Sequence, residues 1–142
     1  MTATNPILIE LQRKAKDATK NVTAAKKAAT AAKNAIGDYF KQRLRICVGK
    51  GLLVYITYGW ESHDSKFYLS IDNNKICIHY RNEYAWITEV DTLDDYMSRL
   101  EFDIYNLKKL YEENGEEFYK SQMNEKKDRY GLLESIINIL YN

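Results

Sequence analysis

The sequence predicts an α+β fold: a long N-terminal helix rich in alanine and lysine, a four-stranded antiparallel β-meander, and C-terminal helices packed on the sheet. Three observations predict it. Small and apolar residues recur at alternating spacings of three and four from Leu8 to Tyr39, the apolar period changes to two after Gly51, and helical spacing returns after Thr92. The expected organisation is one structural domain. A basic, coiled-coil-like helix over 1–48 has the pattern of an oligomerisation arm, and 49–142 forms a compact α+β part with its sheet in 51–90 and its helices in 92–141.

The first helix should start at Asn5, an N-cap residue, followed by Pro6 at the first helical position, where a missing N–H costs nothing. Leu8, Leu11, Ala15, Ala18, Val22, Ala25, Ala29, Ala32, Ile36 and Tyr39 form a heptad seam. Most of its positions are alanine, which permits close approach of another helix but buries little apolar area per residue. The expected oligomer seam is therefore Ala15, Ala18, Val22, Ala25, Ala29 and Ala32. Gly37 is the first punctuation, where the helix either breaks and restarts at Asp38 or continues at a cost of about 1 kcal/mol relative to alanine.

Beyond Gly51, the run Leu52 to Tyr58 reads as one strand covered on both faces. A loop is expected over Gly59 to Ser65. Phe67, Leu69 and Ile71 alternate with Tyr68 and Ser70, and Asp72 to Lys75 form a tight turn whose central asparagines tolerate positive φ. Ile76, Ile78 and Tyr80 then face one way, with Cys77 and His79 on the other, and a last strand covers Tyr84 to Val90.

Thr92 and Asp95 have the form of a helix-capping pair, with Asp94 adding favourable charge. Leu93, Met97, Leu100, Ile104, Leu107 and Tyr111 line one face of the helix that follows, and Asn114 with Gly115 should end it. A charged helix is expected over Glu116 to Tyr130. After Gly131, a separate short apolar helix is expected.

Charge is unevenly distributed although the whole chain is close to neutral, with 21 basic and 20 acidic side chains. Residues 1–50 hold eleven Lys or Arg against three acids, a net of +8, and residues 51–142 hold ten against seventeen, a net of −7. Such a dipole suits a basic arm for nucleic acid or a basic helix docking on an acidic protein surface. Two cysteines are too few for a disulfide framework, no signal segment opens the chain, and no apolar run approaches membrane-spanning length. The expected setting is cytoplasmic, with no membrane partner. Richness in Lys, Asn, Ile and Tyr with a single proline is a composition that AT-rich genomes produce, including those of phages and plasmids of low-GC bacteria.

No enzyme is expected, because no nucleophile elbow, P-loop or dinucleotide fingerprint is present and six glycines provide no phosphate-cradling loop. Ser62, His63 and Asp64 are sequence neighbours whose side chains should diverge along a loop. Cys77 and His79, with His63 or Cys47, are the one ligand-type cluster, but their spacing matches no zinc pattern, so neither metal nor cofactor is expected.

Twelve tyrosines and two tryptophans are the unusual feature. Tyr55, Tyr58, Trp60, Tyr68, Tyr80, Tyr84 and Trp86 are too many for one small core and are the expected partner-binding residues. The reading is a non-enzymatic protein-protein interaction protein, encoded by a phage or another mobile element, that binds and blocks a larger host protein or complex as an inhibitor. Two alternatives stand beside it. One is a homo-oligomeric assembly protein built on the alanine seam; the other is a nucleic-acid-binding module using Lys20, Lys26, Lys27 and Lys33, or contact with nucleic acid through a nucleoprotein partner.

Overall fold

The computed structural model describes residues 5–82 and 86–142. The element order is α1 (Pro6–Gly49), β1 (Val54–Ile56), β2 (Gly59–Glu61), β3 (Phe67–Asp72), β4 (Lys75–Asn82), β5 (Ile87–Thr92), α2 (Leu93–Asn114) and α3 (Glu117–Tyr141). The fold class is α+β. The chain divides into two compact units, Met1–Gly37 and Asp38–Asn142.

The first unit is helical from Pro6 onward. Asn5 caps it, its Oδ1 accepting from the backbone N–H groups of Ile7 at 2.9 Å and Leu8 at 3.4 Å. The hydroxyls of Thr19, Thr23 and Thr30 donate to the carbonyls four residues back, each at 3.0 Å. This return bond satisfies threonine within a helix and removes its competition with the backbone. Helical backbone continues through Gly37 to Gly49.

The second unit carries the core. Phe40, Leu44 and Cys47 from the last turns of α1 meet Trp60, Phe67, Leu69, Ile76 and Ile78 from the sheet, Leu93, Tyr96 and Leu100 from α2, and Leu133, Ile136 and Leu140 from α3. The sheet is fully antiparallel, in the order β1-β2-β3-β4-β5. Asn73 and Asn74 turn β3 into β4 with φ of 49° and 63°. Thr92 caps α2 by accepting from the Asp95 N–H at 3.3 Å, and Gly115 closes it in the left-handed conformation, its N–H donating to the Tyr111 carbonyl at 2.7 Å. No helix among the described residues is long and apolar enough to cross a membrane.

Three expectations are corrected. The sheet has five strands rather than four, because the run Leu52 to Tyr58 is not one strand: it reverses at Thr57 and Tyr58, and Ile56 pairs with Gly59. The added strand, β2, occupies part of the expected loop, and β1 is an edge strand whose Val54 and Tyr55 are exposed rather than covered. Gly59 permits this hairpin, since a Cβ there would lie 2.2 Å from the Leu69 carbonyl oxygen. The last strand is Ile87–Thr92 rather than Tyr84 to Val90, and Tyr84 lies outside the described residues. Finally, α3 runs through Gly131 without a break. Met123, Leu133, Ile136 and Leu140 share one buried face across it, and that packing outweighs a glycine penalty of about 1 kcal/mol.

Candidate functional site

Strand alternation places one row of side chains across the whole sheet on the face turned away from the core. The register links Val54 to Glu61, Glu61 to Tyr68, Tyr68 to His79, and His79 to Val90. Tyr68 and His79 stack at 4.2 Å between ring centroids, and Tyr58 meets Tyr68 edge-on at 4.7 Å. Val54 and Val90 stay exposed at the two ends of the row. The result is a continuous aromatic surface with Val90 at one edge and Glu61, then Val54, at the other.

A short hydrogen-bond chain fixes the imidazole. His79 Nε2 lies 2.7 Å from Ser70 Oγ, and Ser70 donates to Asp72 Oδ2 at 3.0 Å. Because the serine hydroxyl has one proton and gives it to Asp72, the nitrogen facing it must be the protonated one. Burial holds the His79 pKa below the ordinary histidine range, with the Asp72 charge opposing that shift. The ring therefore presents as a neutral stacking partner at neutral pH.

The seven aromatic residues singled out from sequence separate by environment. Tyr55, Tyr58 and Trp86 are 67%, 62% and 75% exposed. Tyr68 is half-buried in the stack. Trp60 points to the other side and belongs to the core, with Tyr55 edge-on to it at 5.8 Å. Tyr80 also faces inward, where its hydroxyl lies 2.9 Å from Glu89 Oε2 and accepts from Arg99 Nη2 at 3.0 Å. Arg99 also pairs with Asp91. Burial first, and then the Glu89 contact, push the Tyr80 hydroxyl above its usual pKa. Trp86 stands apart, beneath the Arg81 guanidinium at 4.6 Å. Sequence reasoning missed His79 as a stacking partner; its position opposite Tyr68 follows only from the register.

The second unit includes a cleft and a hollow. A cleft of about 450 Å³ is lined by residues including Tyr80, Tyr96, Arg99, Lys126 and Arg129. Its cations are largely engaged: Arg99 pairs with Asp91, Lys126 lies 3.8 Å from Asp103, and Arg129 donates to the Tyr96 hydroxyl at 3.2 Å. A hollow of about 440 Å³ lies between the last turns of α1 and the β1–β2 hairpin, lined by Lys41, Arg45, Val48, Tyr55 and Trp60.

The ligand-type residues do not converge. Cys47 is in the core, Cys77 and His79 are on the outer face, and His63 Nε2 lies 2.5 Å from the Gly51 carbonyl. Among the described residues no three His, Cys, Asp or Glu side chains are placed to share an ion. Ser62 and Asp64 do meet, which corrects the expectation that they diverge: Ser62 Oγ donates to Asp64 Oδ1 at 2.6 Å. The pair accepts from the backbone N–H groups of Lys66 and Phe67 and builds the turn into β3. Burial opposes ionisation of Asp64, but the bonds from Ser62 and Lys66 and the nearby cations hold its pKa below the usual carboxylate range. With His63 turned to Gly51, this is a structural turn rather than a proton relay.

In the first unit the seam residues Ala15, Ala18, Val22, Ala25, Ala29 and Ala32 are exposed, as are Lys20, Lys26, Lys27 and Lys33. Among the described residues its ion pairs are those of Arg13 with Glu10 and Asp17. Lys26 and Lys27, with Thr23 and Thr30, border a shallow groove. No family model, curated protein or solved structure matches this chain.

Proposed function

We propose that this chain is a non-enzymatic interaction protein that occupies and blocks a surface on a larger protein or complex, a role of the kind that phages and mobile elements encode. One observation carries the reading: Tyr58, Tyr68 and His79 form a continuous aromatic surface on the sheet face that the core does not use. Stacked aromatics give large, rigid contact area at little entropic cost, which is the character of interface anchors. The test is quantitative capture from bacterial lysates by the tagged chain and by a Tyr58→Ser variant, with circular dichroism confirming the fold. One protein retained by the wild type and lost by the variant supports the reading. Equal capture by both, or none by either, rejects it.

A second reading, self-association through α1, is favoured by a separate observation. Ile7, Leu8, Ile9 and Leu11 expose 47–72% of their area in the first two turns, more than an isolated soluble helix needs. Light scattering coupled to gel filtration, at low and high salt, reads it directly. A discrete oligomer supports it and a monomer at all concentrations rejects it.

A further inference from the structure

The hollow between α1 and the β1–β2 hairpin has two unlike walls. Lys41 and Arg45 are four residues apart and so project from one side of the helix. Neither is within ion-pair distance of a carboxylate among the described residues, whereas Lys66, Arg99 and Lys126 each have one. The opposite wall is aromatic, with Tyr55 exposed beside Trp60, and Val48 adds an apolar side chain from α1 itself. Trp60 Nε1 is buried and is without a hydrogen-bond partner among the described residues. A buried indole N–H normally finds an acceptor. The hollow thus sets two cations that have no carboxylate partner among the described residues beside an aromatic and apolar lining.

We propose that this hollow receives an acidic segment of a partner protein, with an Asp or Glu carboxylate held by Arg45 and Lys41 and an apolar neighbouring side chain laid on Tyr55 and Val48. The guanidinium fork of Arg45 matches a carboxylate in two parallel bonds, and Lys41 adds a point charge. A volume of about 440 Å³ suits a few side chains. A nucleic acid strand is a poorer match: Trp60 is only 8% exposed and offers no open ring face, and one free tyrosine with two cations is not a stacking track. The inference rests on the reading of this chain as a protein binder and adds the chemistry of the partner.

The experiment is a selection from a phage-displayed library of random heptapeptides. It is run on the full chain and on a Lys41→Glu/Arg45→Glu variant, with Lys41→Gln/Arg45→Gln as the milder pair if the first does not fold. The wild type should enrich peptides with Asp or Glu beside an aliphatic or aromatic residue, and the variant should not. In a Trp86→Phe background Trp60 is the single indole. The synthetic consensus peptide should change its emission saturably, with affinity falling about tenfold from low to high salt. Absence of acidic enrichment, acidic enrichment that persists in the variant, or tighter binding of oligothymidine than of the peptide would overturn the proposal. A partner still lost on Tyr58→Ser, which leaves the lining of the hollow intact, would meanwhile leave the protein-binding reading standing, so the two failures are separable.

Discussion

Tyr68 lies directly opposite His79 in the β3–β4 register, and their rings stack with an interplanar angle of 9°. Packing against Tyr68 removes the imidazole from water, and that desolvation disfavours its charged form. The burial that keeps His79 neutral and the contact that buries it are therefore one feature. Charging the ring acts on both.

Acid should accordingly weaken the fold before any carboxylate titrates. The folded-state pKa of His79 is lowered, chiefly by burial. As pH falls below about 6.5 the unfolded chain takes up a proton that the folded chain refuses, so stability rises with pH across this window and is lost on acidification. Thermal unfolding followed from pH 7.5 to about 5.5 should show a falling midpoint. His79→Gln should flatten that slope. An equal slope in the variant would remove His79 from the account.

Two glycines predict opposite outcomes. At Gly59 a methyl group would sit 2.2 Å from the Leu69 carbonyl oxygen and 3.2 Å from the Tyr68 ring, so the β1–β2 hairpin must shift to admit it. Gly59→Ala should cost on the order of 2–3 kcal/mol in denaturant unfolding and disturb the Tyr58–Tyr68 contact. Gly131 lies within α3, and a Cβ there meets nothing within 4 Å. Gly131→Ala should stabilise by about 0.5–1 kcal/mol.

Thr92 joins β5 to α2. Its hydroxyl oxygen accepts the Asp95 N–H at 3.3 Å, one of the orphan donors at a helix start. Thr92→Ala should cost about 1 kcal/mol, and Thr92→Ser or Thr92→Asp should recover most of it. Chemical denaturation with a common slope decides this; an unchanged midpoint would mean that Leu93 and Tyr96 hold the helix start without the cap.

Features legible in the sequence were those decided locally. Asn5 with Pro6, the Asn73–Asn74 turn, the Thr92–Asp95 cap and the Asn114–Gly115 stop each lie within a few residues of the bonds they make. The hairpin at Thr57 and Tyr58 carries no turn signal of its own; what permits it is the close approach of Leu69 to Gly59, a tertiary contact. The reverse holds at Gly131, where a local break signal is overridden by burial of Leu133, Ile136 and Leu140. The site was half legible for the same reason. Aromatic abundance was plain, but whether a given ring faces the core or solvent depends on strand parity. The unread hairpin changed that parity, sending Trp60 inward and leaving Tyr58 on the open face.

The exposed seam of α1 gives the remaining prediction. Ala25 and Ala29 lie in the first unit, and the core of the second is built from Phe40 onward. Ala25→Glu/Ala29→Glu should therefore leave the unfolding transition of the second unit unchanged while introducing charge at adjacent seam positions. Glutamate is a good helix former, so loss of helix is not the expected effect. If α1 self-associates, the variant should elute at the mass of one chain where the wild type gives an oligomer. The alternating heptad pattern specifies which face must respond. Lys20→Glu/Lys27→Glu, on the opposite side of the same helix, should leave the mass unchanged, and an equal effect from both pairs would assign the association to charge rather than to the seam.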